Sequence, residues 1–359
     1  MNKAIWFMEG LSSQRDIILS VMEMKKSCEK PFLVIASHRS DRPEITSVAD
    51  VSLVEPKADI ARMQFIANVV AQYHVVAIQA GRNCAWFEEH RTAIEALGVS
   101  LTTGATSLDM FALADDKVRY AQFMEQNHLP VVHSMQINNA QELRRHLDAT
   151  RDNGVLQCIK PVTGIYGLGF WVLDPQASAM AAFDNPDNRR VRPDIYLNAM
   201  QEQEAVKSTA PMVVMPYLPG PERSVDMLVE NGKVIAAVAR RKEGPLQYME
   251  QSGDAFELGK ACAAVMQADG LVNVQTRNNT EGVPVLLEIN MRPSGGICYT
   301  RATGVNLPGL FALRKLGLID QDMASAMALR DFSPAVVRSV TSVIALPQPA
   351  HSQDATTQE

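Results

Sequence analysis

The stretch from Gly270 to Gly296, GLVNVQTRNNTEGVPVLLEINMRPSGG, constrains this chain more than any other. Two apolar runs, Gly270–Arg277 and Pro284–Ile289, flank the polar turn Asn278–Gly282, which is the pattern of a β-hairpin. Gln275 falls on the first strand. Glu288 and Asn290 fall two apart on the second, so their side chains point to the same face. An acidic residue directly after the apolar run Val285–Leu287 is costly unless it is paired. Three oxygen-bearing side chains converging from adjacent strands suit Mg²⁺, which takes oxygen ligands and completes its shell with phosphates and water. The plainer alternative is a Glu and an Asn that merely end a strand.

Two further segments bear on phosphate chemistry. Val155–Val172, VLQCIKPVTGIYGLGFWV, puts Lys160 at the end of an apolar strand and Gly164, Gly167 and Gly169 in the turn that follows. Glycines let backbone N–H groups approach phosphate oxygens closely, and Lys160 adds a point charge. A Walker loop would run from Gly-Lys-Ser/Thr into a helix. This loop runs into the strand Phe170–Leu173, so alone it reads equally as a glycine-rich hairpin with no ligand. Met212–Asp226, MVVMPYLPGPERSVD, ends an apolar strand at Met215 and turns through prolines and a glycine before Glu222. Such a turn exposes backbone N–H and C=O groups of the kind an adenine edge requires, and Glu222 suits ribose hydroxyls. In isolation a plain surface turn is the simpler reading.

The N-terminal part has a different rhythm. Strands are expected at Ala4–Met8, Phe32–Ala36, Val51–Val54, Val75–Gln79 and Val99–Leu101. Helices are expected after Ser12 or Ser13, over Ile60–Gln72 and over Trp86–Leu97. Alternating βα units argue a parallel, doubly wound sheet. No GxGxxG follows the first strand, so no dinucleotide site is assigned. From about Asp116 the pattern shifts to a small α+β unit, with a helix over Lys117–Gln126, a strand over Val131–Ile137 and a helix over Ala140–Thr150. After Pro211 strands dominate, at Met212–Met215, Ser224–Glu230 and Val234–Ala239. Helices are then expected over Ala255–Ala268 and Leu307–Leu316.

Composition narrows the function classes. The 359 residues are 47% hydrophobic and 21% charged, as in an ordinary globular protein of two or three domains. The net charge of −6 and the lack of basic clusters longer than Arg240-Arg241-Lys242 argue against nucleic acid. The five scattered cysteines contain no CxxC pair, which argues against a disulfide framework or zinc site and fits a reducing cytoplasm. Ala4–Met8 is too short for a signal peptide, and no apolar run is long enough for a membrane span. The histidines lack HxH or HExxH spacing. Cys298 either faces a substrate or is a buried, inert thiol, and the latter is the simpler reading.

Taken in order, these segments resemble the ATP-grasp superfamily of carboxylate–amine ligases over about Ala114–Leu310. The residues that carry the resemblance are Asp116-Lys117 opening a helix, Lys160–Gly169, Met215–Leu218 with Glu222, and then Gln275, Glu288, Asn290 and Arg292. The Asn-Val-Gln and Glu-Ile-Asn-Met-Arg-Pro-Ser wording is similar to the large chain of carbamoyl-phosphate synthases and to stand-alone ATP-grasp proteins associated with tellurium-resistance operons. The turn departs from many members in carrying Met215 where they have Glu. Only one such unit is present, with no second copy and no glutaminase, so full carbamoyl phosphate synthesis is not expected of this polypeptide alone.

The resemblance implies an α/β protein in which an N-terminal Rossmann-like pre-ATP-grasp domain (1–113) precedes a two-lobed α+β ATP-grasp fold. The lobes are placed at 114–210 and 211–346, with a polar tail at 347–359. It implies ATP, with Mg²⁺ or alternatively Mn²⁺ held by Gln275, Glu288 and Asn290. Lys117 and Lys160 would hold phosphates together with the glycine loop, with Ile165–Leu168 closing over them. Met215, Tyr217 and Leu218 would line the adenine and Glu222 the ribose. Arg292 would stabilise charge on the transferring phosphoryl group. Arg240 and Arg241 would reach the γ-phosphate or the substrate, or else be solvated arginines. The implied reaction is activation of a small carboxylate as an acyl phosphate for an amine, in a cytoplasmic enzyme, with a homodimer as one assembly. The rivals are a nucleotide-binding regulatory module and a kinase.

Overall fold

The computed structural model of the chain describes residues 2–11, 13–82, 84–162 and 168–346. The expected tail at 347–359, Ser12, Gly164, Gly167 and all of the Ile165–Leu168 segment but Leu168 lie outside them.

Three sheets organise the molecule. The first contains β1 (Ala4–Phe7), β2 (Leu33–His38), β3 (Val51–Val54), β4 (Val75–Gln79) and β5 (Ser100–Thr102), all parallel, in the order β3-β2-β1-β4-β5. Alternation along β1 explains its burial: Ile5 and Phe7 enter one core, Ala4 and Trp6 the other. Strand order reverses between β1 and β4. In open α/β sheets such a switch point leaves a crevice beyond the carboxyl ends of the strands.

The second sheet contains β6 (Met135–Ile137), β7 (Gln157–Pro161), β8 (Trp171–Leu173), β9 (Arg190–Val191) and β10 (Met212–Pro216), in the order β6-β10-β7-β8-β9. Because β10 pairs with both β6 and β7, this sheet draws on residues beyond 210, where the sequence reading ended the small lobe. Helices Ala140–Thr150 and Pro193–Val206 cover one face around Leu143, Leu197 and Met200. The other face carries Cys158, Val213 and Met215.

The third sheet is antiparallel. It contains β11 (Glu222–Glu230), β12 (Lys233–Glu243), β13 (Leu246–Glu250), β14 (Gly270–Asn278), β15 (Pro284–Asn290) and β16 (Val336–Val337), in the order β15-β14-β11-β12-β13-β16. Leu228, Val238 and Leu271 face a core shared with the first sheet, while Val225, Met227 and Val274 face the helix Asp254–Val265. With both faces covered, β11 and β12 are buried along most of their length.

Two expected elements are corrected. Trp86–Leu97 is not one helix but two, Cys84–Glu89 and Arg91–Glu95. The break falls at His90, whose Nδ1 lies 2.8 Å from the Trp86 carbonyl and whose ring stacks on Trp86. Val131–Ile137 pairs as a strand in its sheet only at Met135–Ile137, because Val131 instead bridges to Leu286 of β15. Among the described residues no helix is long and apolar enough to cross a membrane.

Candidate active site

A cleft of about 630 Å³ runs between β7 and β10 on one side and β14 and β15 on the other, and ends at the loops that follow β1 and β4. Its floor is the hairpin. Gln275 stands opposite Glu288, and Asn273 opposite Asn290. The register shifts after Gln275, where Thr276 meets Leu286, so Leu287 is the extra residue of a β-bulge. Glu288 and Asn290 share a face, with Asn290 Nδ2 donating to Glu288 Oε1 at 3.4 Å. Gln275, Glu288 and Asn290 all line the cleft.

Lys117 lines the cleft from a helix whose Tyr120 and Met124 pack in one core with the hairpin's Val274 and Leu286. The Asp116 side chain caps the helix Lys117–Gln126 by accepting from the Val118 and Arg119 N–H groups, which fixes Lys117 in the first turn. Its ammonium donates to the Val162 carbonyl at 2.8 Å, at the base of the glycine loop. Burial lowers the Lys117 pKa from its ordinary value. The nearby Lys160 ammonium lowers it further, and Glu288 pulls the other way. Lys117, Lys160 and Glu288 are therefore within electrostatic reach of one another. Lys160 sits on β7 opposite Val213 and lines the cleft. Gly169 has φ +73°, and a Cβ there would meet the Pro161 ring at 2.8 Å, so the chain at Gly169 lies close against the end of β7.

At one end the wall is the turn after β10. Met215, Pro216, Tyr217, Leu218 and Glu222 all line the cleft. The Tyr217 N–H already donates to the Leu156 carbonyl at 2.7 Å, and Pro216 has no N–H. Met215, two residues before Tyr217 and paired with Cys158, points its N–H into the same ladder, so within Met215–Leu218 the donor left toward adenine is Leu218. The Arg190 and Arg277 guanidiniums lie 5.6 and 5.5 Å from the centroid of the Tyr217 ring. Glu222 is ion-paired to Lys242 across the sheet. Cys158 also lines this end, its thiol pushed up to about 12 by burial although Lys160 and Arg277 oppose that.

At the other end stand Arg292, Leu11, Gly81, Arg82, Cys84 and Phe111. Arg292 follows β15, and one of its N–H groups lies 3.4 Å from the Pro293 carbonyl.

Arg240 and Arg241 stand apart from the residues that line the cleft. Arg240 is buried, with Nε donating to Asp226 at 2.6 Å, Nη1 to Gln247 at 2.6 Å and Nη2 to Ser294 at 2.9 Å. Arg241 lies on the opposite face of β12, ion-paired to Glu243 and Glu250. Both guanidiniums serve packing between strands. Cys298 also lies outside the cleft, against the core between the first and third sheets, and burial pushes its thiol up to about 12.

Arg82, Arg189 and Arg277 line the cleft without having been anticipated. Arg277 carried a readable signal, since it lies two residues from Gln275 on one strand. Arg82 carried a weaker one, as the third residue after the carboxyl end of β4.

The donor set admits a divalent cation. Gln275, Glu288 and Asn290 offer one carboxylate and two amide oxygens, with Asn290 turning its N–H₂, not its oxygen, toward Glu288. Among the described residues no group of three or more His, Cys, Asp or Glu side chains is clustered for a metal. A cation here would therefore share its shell with phosphate oxygens and water, as Mg²⁺ does.

A parallel βα domain, a small mixed sheet and a larger antiparallel sheet around a shared cleft make up an ATP-grasp fold in this chain. Within it, residues 208–341 match the family described as "ATP-grasp in the biosynthetic pathway with Ter operon". Among solved structures the chain is similar to an L-amino acid ligase from Bacillus licheniformis (14% identity, 88% of this chain and 74% of that one, TM-score 0.58). It is also similar to a biotin carboxylase from Campylobacter jejuni (14%, 90% and 73%, 0.60). A third is an N5-carboxyaminoimidazole synthetase from Staphylococcus aureus, complexed with ADP (11%, 88% and 77%, 0.60). At these identities the likeness establishes the fold alone. No curated protein sequence matches the chain.

Proposed function

We propose that this protein is an ATP-dependent ligase that phosphorylates a small carboxylate and passes the acyl phosphate to an amine, releasing ADP and phosphate. The observation that carries this reading is that Lys117, Lys160, Gln275, Glu288, Asn290 and Arg292 all line one cleft whose far wall is the Met215–Leu218 turn. A nucleotide laid along the cleft has adenine at that turn and ribose near Glu222. Its triphosphate then lies between the two lysines and the hairpin face.

A carboxylate resists attack by an amine because its oxygen is a very poor leaving group. Phosphorylation converts that oxygen into part of a good one and divides the reaction into two easier steps. The carboxylate oxygen attacks the γ-phosphorus and ADP departs. The amine nitrogen then attacks the acyl carbon, and phosphate departs with an oxygen from the acid. In this scheme Lys117 and Lys160 hold phosphate oxygens, and Arg292 faces the charge that develops on the transferring group. Mg²⁺, or Mn²⁺ in its place, would be held by Gln275, Glu288 and Asn290 and would neutralise phosphate charge. The apolar side chains Leu287 and Phe170 at the cleft wall help keep water from the acyl phosphate.

The test is a screen of acids and amines in pairs, reading nucleotide product and phosphate together. ADP and phosphate that appear only when both an acid and an amine are present support the ligase. Release of AMP and pyrophosphate would sink the acyl-phosphate route. A phosphorylated hydroxyl as product would identify a kinase, and nucleotide binding without any turnover would identify a regulatory module.

A further inference from the structure

The end of the cleft away from the adenine wall has a composition that nucleotide chemistry does not require. It lies at the switch point of the first sheet, beyond the carboxyl ends of β1 and β4. Leu11, Gly81 and Arg292 line both the main cleft and a small adjoining hollow of about 30 Å³, so Arg292 and the two loops meet at one place. The loops are tightly apposed. A Cβ on Gly81 would lie 2.5 Å from the Glu9 carbonyl oxygen and 2.7 Å from Gly10 Cα.

Arg82 follows immediately and also lines the cleft, with 52% of its side chain exposed. Its ion pair among the described residues is a long one, 3.9 Å from Nη1 to Glu9 Oε1. Glu9 is shared with Arg39 at 3.5 Å and Arg62 at 3.9 Å. Glu55 pairs with Arg62 at 2.9 Å and Asp59 with Arg39 at 2.5 Å, so those two guanidiniums have close carboxylates of their own, whereas Arg82 has the long contact to the shared Glu9 among the described residues. Arg62 is fully buried, and its Nε and Nη1 make no hydrogen bond. Leu11, Cys84 and Phe111 add apolar surface to the lining that Arg292 and Arg82 share.

We infer that the acid activated in this cleft carries a second anionic group, held by Arg82 across an apolar spacer that rests on Leu11, Cys84 and Phe111. The inference rests on the ligase reading for the role of the first carboxylate, beside Arg292, and adds the chemical class of its substrate. A monoacid would leave Arg82, among the described residues, with its long pair to Glu9. A diacid, or an acid ending in a phosphate or phosphonate, replaces water on a guanidinium whose planar fork suits either group.

The probes are matched pairs of equal length: succinate against butyrate, adipate against hexanoate, and 3-phosphonopropionate alongside succinate. Each is titrated calorimetrically into the full chain loaded with MgADP. The expected result is that the dianion of at least one pair binds about tenfold or more tighter than its monoacid, the scale of one charge-assisted pair. Arg82→Ala should bring that ratio close to one, and Arg82→Lys should leave it in between. Since Arg82 is half exposed, both variants should melt with the wild type. Tighter binding of the phosphonate or of the dicarboxylate names the second group, and either sustains the inference. Equal binding of mono- and dianions by the wild type overturns it. So does a preference that survives in Arg82→Ala. Failure of the ligase reading is separate, because it shows as absence of acid- and amine-dependent ADP formation whatever the binding ratios are.

Discussion

Lys117 shows how a single side chain can report on the site. Its ammonium is disfavoured first by burial and then by Lys160. Between the lowered folded-state pKa and the ordinary value, the unfolded chain binds more protons, so this residue's penalty on folding shrinks as pH rises through that window. Triphosphate oxygens placed beside Lys117 reverse the preference and raise its pKa. Nucleotide binding in the alkaline range should therefore take up a proton and weaken as pH rises. Calorimetry in two buffers of different ionisation enthalpy measures this, and no uptake, or uptake unchanged in Lys117→Met, contradicts it. Glu288→Ala should abolish turnover while the circular dichroism stays that of the wild type, since Glu288 is a cleft residue outside the cores. Normal turnover would remove it from the site. Asp226 is different in kind. Removing it leaves the Arg240 charge buried without its carboxylate, so Asp226→Ala should cost about 3–5 kcal/mol in denaturant unfolding, whereas Asp226→Leu combined with Arg240→Met should cost less. That Gln275, Glu288 and Asn290 share one face was legible in the sequence because a hairpin's period of two fixes which side chains lie together. Arg240 was not, because its direction is set by Asp226, Gln247 and Ser294 from other strands and a distant turn.

At the scale of elements, local signals served where a stretch had one strong periodicity or a cap. Val51–Val54, Val75–Gln79, Lys117–Gln126 and Ala140–Thr150 form with the expected bounds. Pro193–Val206 and Gln321–Asp331 passed unnoticed. Few of their residues are buried, Leu197 and Met200 in one and Ala324 and Ala328 in the other, so their apolar stripes are thin. Their start signals, Pro193 in the first turn and the Asp320 cap, were present but easily missed. Leu246–Glu250 was missed because LQYME reads as mixed, and only pairing with β12 and β16 makes it a strand. The loops after β1 and β4 yield a prediction of their own. A methyl group at Gly81 collides with backbone on the other loop, which cannot rotate away as a side chain can. Gly81→Ala should therefore destabilise the protein by about 1–3 kcal/mol. A thermal melt tests it, and an unchanged midpoint would mean that the two loops separate at no cost.

Across the whole molecule, the first and third sheets share a core in which Phe7, Ile18 and Val34 meet Leu228, Val238 and Phe311, whereas the second sheet packs in two other cores, one of which takes in Val285 of β15. Native-state hydrogen exchange should accordingly show β1 and β11–β12 opening with one free energy, and β7–β8 exchanging through a separate, lower-energy opening. Independent exchange of the first and third sheets would contradict that coupling. The same arrangement brings the switch point of one sheet and the hairpin face of another to a single cleft, and it is there that the chemistry is proposed. The most direct test uses an acid substrate labelled with heavy oxygen in its carboxylate, supplied with ATP and an amine, with the released phosphate analysed by mass spectrometry. The account predicts one labelled oxygen in phosphate with ADP as the nucleotide product. Phosphate that never carries label, or AMP in place of ADP, would contradict it.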